Sequence, residues 1–165
     1  MALINDDEIE DLACLTYHYP FEVRFIEFMP FQGEEGDNRL VSADAMLERL
    51  NRVAPLLPAV SENSNGPARL YRFPNALGKI GIISPISEHF FHTCNRLRLT
   101  ADGKLRTCLF SLEEHDLRTP LRQGASDQDL IHLIRAAISR KPERHALDNR
   151  LLRKCISRPM VKIGG

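Results

Sequence analysis

The sequence predicts an α+β fold in which helices flank mainly antiparallel strands. Segments with helical spacing of apolar residues alternate with short β-branched or apolar runs, in the order α-β-α-β-β-β-β-α-α. Gly-containing turns separate neighbouring strands. The 165 residues are enough for one domain, or for one domain with an appendage.

The N-terminal part is predicted to contain two helices around one strand. A helix over about 7–17 begins at Asn5 or Asp6, whose side chain would cap it. A buried strand follows at 22–28, and a Gly-containing loop covers 30–39. The second helix begins at the cap residue Ser42. The apolar stripes of these helices are Ile9, Leu12, Ala13 and Thr16 in the first, and Ala45, Met46, Leu47, Leu50 and Val53 in the second.

The middle of the chain is predicted to form two strand pairs. The first joins 69–73 to 79–83. The second joins 96–100 to 104–110, with Asp102-Gly103 at its turn because Gly tolerates positive φ.

The C-terminal part is predicted to be helical. Ser126 begins a third helix, and Asp129 three residues later completes a capping box. A shorter helix over 142–152 follows, and the tail from Ser157 is extended. The predicted buried face of the third helix contains Leu130, Leu133, Ile134, Ala137 and Ile138.

Composition gives no sign of a nucleic-acid or membrane partner. The 22 basic and 22 acidic residues balance, so no net field attracts a polyanion. No apolar run approaches the roughly 20 residues of a membrane-spanning helix. Acidic residues at 6–11 are not typical of a signal peptide. The four cysteines therefore indicate reduced thiols and a cytoplasmic location.

The stretch from Cys94 to Cys108, CNRLRLTADGKLRTC, is the strongest indication of chemistry. Its thiols lie toward the open end of a predicted hairpin rich in Arg and Lys. Thiolates are soft ligands for iron or zinc, and guanidinium groups bind phosphate or carboxylate oxygens. Strand alternation places Arg96 and Arg98 on one face. The stretch predicts a metal and anion site; buried unmetallated thiols and a solvated strand face are the alternatives.

With its flanks, this stretch closely resembles the second iron–sulfur motif of the GTP 3′,8-cyclase family, radical SAM enzymes that begin molybdenum cofactor biosynthesis. The family pattern is roughly F-C-x-x-C-N-R-x-R-x-T-x-D-G-x-x-x-x-C-L-F, and the chain has FFHTCNRLR at 90–98 and CLF at 108–110. Three further segments agree with the family: VRFIEFMP at 23–30, GKIGIISP at 78–85 and RPMVKIGG at 158–165.

The resemblance implies the C-terminal portion of an incomplete radical SAM TIM-type barrel protein. Residues 1–40 would be a remnant of the end of the barrel, and 41–165 the molybdenum cofactor biosynthesis C-terminal domain. The sequence lacks the family's C-x-x-x-C-x-x-C motif, which binds the cluster that cleaves S-adenosylmethionine. The chain is therefore expected to be inactive by itself.

The resemblance also implies a 4Fe-4S cluster whose open iron binds the guanine of GTP. Cys94 and Cys108 match two of its three cysteine ligands. The third would lie three residues before Cys94, where this chain has Phe91, which cannot bind iron. His92 or His89 would be the substitutes, since imidazole replaces thiolate in some iron–sulfur centres. Zinc is a weaker alternative because it normally has four ligands.

Other positions match the family's substrate and cofactor contacts. Arg96, Leu97 and Arg98 match a segment that contacts GTP, and Met29 matches a contact with S-adenosylmethionine. Gly164 and Gly165 match a tail that enters the active site and supports catalysis; a frayed end is the alternative. In the predicted strand at 22–28, Arg24 either faces a barrel cavity or pairs with Glu27 or Glu22.

The sequence thus predicts the substrate-side domain of a GTP 3′,8-cyclase, which binds GTP and a cluster and works with a separate radical SAM barrel chain. The alternative is a cluster-free, non-catalytic binding or assembly module, which Phe91 favours. The strand at 22–28 would lack its barrel neighbours, and an unpaired apolar strand favours association. A homo-oligomer is therefore predicted.

Overall fold

A computed structural model describes residues 1–29, 39–60, 66–88, 94–111 and 113–141. The chain divides into two compact units. The described part of the first unit is 1–29, 39–60 and 66–88, and that of the second is 94–111 and 113–141. The helix predicted over 142–152 and the extended tail lie outside the described residues. The family resemblance placed a boundary at residue 40, between a remnant of the barrel and the C-terminal domain. That boundary stays a prediction.

The first unit contains two helices and a four-stranded sheet. Its elements are α1 (Ile9–His18), β1 (Glu22–Ile26), α2 (Ala43–Val53), β2 (Leu57–Pro58), β3 (Arg69–Arg72) and β4 (Lys79–Ile83). The strand order is β1-β4-β3-β2. β1 pairs with β4 in parallel, whereas the other two pairs are antiparallel. The sequence did not predict β2, because two residues are too short to show alternation.

The first unit's core lies between the helices and the sheet. Ile9 and Ala13 of α1 and Met46 and Leu50 of α2 are buried with residues of the sheet. The sheet contributes Phe25, Ile80 and Ile82, and the turn after β3 adds Phe73 and Ala76. Glu10 of α1 and Arg49 of α2 form a bidentate ion pair with N–O distances of 2.7 and 2.5 Å. The hydrogen bond from Arg49 lowers the pKa of Glu10.

One of the two predicted helix caps in this unit is confirmed. The Ser42 hydroxyl accepts a hydrogen bond from the Ala45 backbone N–H at 3.3 Å. The cap predicted for α1 is wrong, because α1 begins after Glu8 without a side-chain cap. The Asp6 carboxylate instead accepts from the backbone N–H of Leu3 at 2.6 Å, so it stabilises the preceding turn.

The strand predicted at 22–28 ends earlier and has a partner within the chain. β1 pairs with β4 on one side and is the edge strand of the described sheet on the other. The expectation of an unpaired strand is therefore wrong for one of its two edges, which pairs with β4. The predicted homo-oligomer stays a prediction.

The charged residues of this segment have separate partners. Arg24 donates to the Glu22 carboxylate at 2.6 Å, which is the pairing with Glu22 given as an alternative to a cavity role. Glu27 follows β1 and is 1% exposed. Its carboxylate accepts from the backbone N–H of Ala43 at 2.8 Å and of Ile86 and Ser87 at 2.9 Å, and from the Ser87 hydroxyl. Glu27 therefore joins the start of α2 to the turn after β4.

The second unit contains a three-stranded antiparallel sheet and two helices. Its elements are β5 (Arg98–Leu99), β6 (Lys104–Arg106), β7 (His115–Asp116), α3 (Arg118–Arg122) and α4 (Asp127–Ser139), with sheet order β5-β6-β7. The predicted capping box of α4 is confirmed, since Ser126 and Asp129 bond reciprocally. β7 and α3 are too short to have been predicted. The two units together have the mixed α+β composition that the sequence predicted.

The buried face predicted for α4 is confirmed in part. Ala137 is buried and Leu130 and Ile134 are partly buried, whereas Leu133 and Ile138 are 39% and 44% exposed. Among the described elements of this unit, α4 contacts β6. In the part of the chain that the structure describes, no helix is long and apolar enough to cross a membrane.

Candidate functional site

A β-hairpin in the second unit positions the candidate residues. Arg98 of β5 lies opposite Arg106 of β6. The backbone N–H of Thr100 donates to Lys104 O at 2.9 Å and closes the turn. Gly103 has φ of 80°, so this turn requires the conformational freedom for which Asp102-Gly103 was predicted there. The local sequence therefore determines where the hairpin reverses.

Cys94 and Cys108 lie on either side of this hairpin, and both are partly buried free thiols. Burial raises the pKa of Cys108, and the charge of Cys94 raises it further, whereas hydrogen bonds from the backbone of Phe110 and Ser111 lower it. The hairpin connects the two segments that carry these thiols. The closeness of the two sulfur atoms stays a prediction.

Basic side chains surround the thiols. Burial lowers the pKa of the Arg98 guanidinium, and the charges of Arg96 and Arg106 lower it further, while Cys108 and Cys94 act in the opposite direction. Arg96 and Leu97 are exposed, and Arg98 is partly buried. Arg98, one of the three residues predicted to contact GTP, is thus affected by the charges of two other guanidinium groups and of both thiols.

Arg106 is a positioning residue that the sequence did not single out. Its side chain is 3% exposed and pairs with the Glu114 carboxylate at 3.1 Å. It also donates to the main-chain carbonyls of Leu109, at 3.3 Å, and Ser111. Arg106 therefore holds the turn that follows Cys108. Nothing in the sequence distinguished it from other basic residues, because its partners are two main-chain carbonyls and one carboxylate in the eight residues that follow it, with no regular spacing.

Lys141 is a second such residue. Its ammonium group donates to the main-chain oxygens of Cys94 at 2.5 Å and Arg96 at 3.3 Å. Its positive charge lowers the pKa of Cys108, against the larger effect of burial. Lys141 follows α4 and is 47 positions from Cys94, so no sequence spacing indicated the contact.

The remaining candidates lie elsewhere. Met29 is partly buried and Arg24 exposed, and both belong to the first unit. Arg24 lines a pocket of about 150 Å³ with residues of α1, β1 and α2. Phe91, His89, His92, Gly164 and Gly165 lie outside the described residues.

The described residues offer a limited set of metal ligands. Among them, no group of three or more His, Cys, Asp or Glu side chains is arranged to hold a metal ion. Cys94 and Cys108 are the two thiols of the second unit that the structure describes. This donor set is one thiol short of the three that the family resemblance implies, so these residues do not complete a 4Fe-4S site.

Known proteins are similar to this chain over most of its length. The family described as Molybdenum Cofactor Synthesis C matches residues 21–147. The chain is 47% identical over 150 residues to the GTP 3′,8-cyclase of Heliobacterium modesticaldum, covering 88% of this chain and 45% of that protein. It is 45% identical over 166 residues to the GTP 3′,8-cyclase of Desulforamulus reducens, covering 98% and 50%.

A human protein is similar to the same extent. Molybdenum cofactor biosynthesis protein 1 of Homo sapiens is 45% identical over 147 residues, covering 88% of this chain and 23% of that protein. The chain therefore spans half or less of the length of these curated relatives, and the match lies in their C-terminal portion. The chain belongs to the Molybdenum Cofactor Synthesis C family and corresponds to the C-terminal portion of the GTP 3′,8-cyclases.

Proposed function

We propose that this chain is the substrate side of a GTP 3′,8-cyclase-type protein in molybdenum cofactor biosynthesis and that it binds GTP through Arg96, Leu97 and Arg98. The concentration of positive charge around Arg98 supports this proposal. Arg96 and Arg106 each disfavour the charged form of Arg98, and a polyanionic ligand would offset that repulsion. Guanidinium groups bind phosphate oxygens through paired hydrogen bonds. The choice of GTP follows from the names of the relatives.

The chain's own residues would bind and orient the nucleotide. Arg96 and Arg98 would hold its phosphates, and Arg106 and Glu114 would keep the hairpin in shape beneath them. A resident cluster would supply an open iron for the guanine. Cys94 and Cys108 are its proposed ligands, although they lack a third thiol.

We assign the radical-forming half of the reaction to a separate chain. A radical SAM barrel protein would cleave S-adenosylmethionine, and Met29 would contact that cofactor only in such an assembly. We therefore propose that this chain alone does not cyclise GTP. Thiolate ligands require a reducing compartment, which is the reason to place the chain in the cytoplasm.

A second candidate function is a cluster-free binding or assembly module derived from the same family. The incomplete donor set of Cys94 and Cys108 favours it. The two candidates agree on the anion-binding hairpin and differ in whether the thiols carry iron.

GTP binding is tested by calorimetry on the purified chain. The double substitution Arg96→Gln and Arg98→Gln is expected to weaken GTP binding by about a hundredfold or more, because it removes two charge-assisted hydrogen bonds that contribute roughly 1.5–3 kcal/mol each. Arg52→Gln is the matched control, since Arg52 is 69% exposed in the first unit and pairs only with Glu48 among the described residues. No binding of GTP by the wild-type chain would contradict the proposal.

Iron loading separates the two candidate functions. Anaerobic reconstitution is performed on the natural chain and on Phe91→Cys, and iron and sulfide are counted per chain. Loading of both chains supports the substrate half of a split enzyme, with another ligand in place of the third cysteine. Loading of Phe91→Cys alone supports the cluster-free module. Failure of both to load rules out Cys94 and Cys108 as cluster ligands in this chain.

A further inference from the structure

The segment that carries the first thiol and the first guanidinium has little regular structure to support it. Residues 94–97 lie outside the described strands, and β5 begins only at Arg98. Exposed backbone without ladder hydrogen bonds samples several conformations. A site built on this segment therefore needs a restraint from elsewhere in the fold.

Lys141 provides such a restraint from the end of α4. The backbone N–H of Lys141 donates to Ile138 O at 3.0 Å, so the residue continues from the helix. Its Nζ donates to the carbonyl oxygens of Cys94 and Arg96. One ammonium group thus joins two alternate carbonyls of the same segment.

The charge of Lys141 has no carboxylate partner in the described part of the chain. The neighbouring Arg140 does have one, since its guanidinium lies 3.9 Å from the Glu113 carboxylate. An ammonium donor bonded to carbonyls makes charge-assisted hydrogen bonds, which are stronger than neutral ones. The two bonds therefore attach the end of α4 to the segment that carries Cys94 and Arg96.

We infer that Lys141 is a positioning residue for the proposed site: it fixes the main chain at Cys94 and Arg96 and so sets where the thiol and the guanidinium lie. The part of this inference that concerns GTP rests on the proposed function. The positioning role does not depend on it, because it concerns where Cys94 lies relative to Cys108 in the protein without ligand.

The test uses the full chain in a Cys14→Ser, Cys155→Ser background, so that only the two site thiols remain. Dibromobimane becomes fluorescent when both of its arms have reacted with thiols, and its cross-linking rate reports how closely Cys94 and Cys108 are held. Lys141→Met is expected to lower this rate several-fold and to weaken GTP binding about tenfold. Lys141→Arg, which retains a cationic donor, is expected to restore much of both.

Arg140→Met is the matched control, because it removes a neighbouring positive charge that makes no bond to the segment. It is expected to leave the cross-linking rate unchanged. Far-UV circular dichroism of each variant checks that the second unit is folded.

The outcomes separate the inference from the proposed function. An unchanged cross-linking rate in folded Lys141→Met overturns the inference, whether or not GTP binds. A reduced rate with no GTP binding by the wild type supports the positioning role and contradicts the GTP proposal. Weaker GTP binding with an unchanged rate would mean that Lys141 acts on the nucleotide by its charge, which also overturns the positioning role.

Discussion

Glu27→Ala is expected to destabilise the first unit by about 4 kcal/mol, because it leaves several buried donors without an acceptor. The carboxylate accepts from the backbone N–H groups of Ala43, Ile86 and Ser87. Ala43 is the first residue of α2, so the negative charge also lies at the positive end of that helix. Urea unfolding, monitored by tyrosine fluorescence, measures the loss in the free energy of unfolding. All three tyrosines of the chain lie in the first unit, and the chain has no tryptophan.

Two further variants test whether the lost stability comes from the buried carboxylate acceptor. Glu27→Gln retains one oxygen acceptor but turns an NH₂ group toward the remaining donors, so an intermediate loss is expected. Glu48→Ala is the exposed control, since the Glu48 side chain is 70% exposed and pairs with Arg52 one helical turn away. Its effect should be about 0.5 kcal/mol or less. Equal unfolding midpoints for Glu27→Ala and Glu48→Ala would contradict the structural role of Glu27.

Gly78→Ala is expected to destabilise the same unit by about 3 kcal/mol or more, at the upper end for overpacking. A Cβ atom at Gly78 would lie 2.2 Å from Phe21 O and 2.8 Å from Tyr19 O. These are backbone atoms, and they cannot rotate away as a side chain would. The same segments are joined by hydrogen bonds, because the N–H groups of Leu77 and Gly78 both donate to Thr16 O at 2.9 Å. The same urea titration measures the effect.

Gly66→Ala is the matched control for this substitution. A Cβ atom at Gly66 would meet no heavy atom within 4 Å. Both substitutions remove the same backbone freedom from the unfolded chain, so their difference isolates the clash in the folded state. We expect Gly66→Ala to change stability by less than about 1 kcal/mol. A Gly78→Ala midpoint equal to that of Gly66→Ala would show that the two segments do not pack closely.

The local sequence was sufficient for elements whose signals lie within a few residues. Ser42 and the Ser126–Asp129 pair cap their helices as predicted. β4 has its predicted bounds, and Gly103 has the positive φ that the hairpin turn requires. Caps and tight turns involve residues that are neighbours in sequence, so side-chain chemistry alone determines them.

The candidate site was partly predictable for the same reason. Cys94 and Cys108 lie on either side of a single hairpin, whose turn was predicted correctly. That the two thiols form one site stays a prediction. The predicted strand alternation of Arg96 and Arg98 is wrong, because β5 begins at Arg98 and Arg96 lies before it. Lys141 was not predictable, because its hydrogen-bond partners depend on how separate segments pack. Arg106 was not predictable, because its partners lie in an irregular turn whose conformation the sequence does not indicate.

The sequence by itself determined the α+β class, the caps of α2 and α4, the hairpin turn and the family motif around Cys94 and Cys108. Only the tertiary structure decided the parallel pairing of β1 with β4, the burial of Glu27 against α2, and the attachment of Lys141 to Cys94 and Arg96. Hydrogen bonds between segments far apart in sequence form only after chain folding has brought their donors and acceptors together. The identity of a glutamate or a lysine does not specify which distant backbone group it will bind.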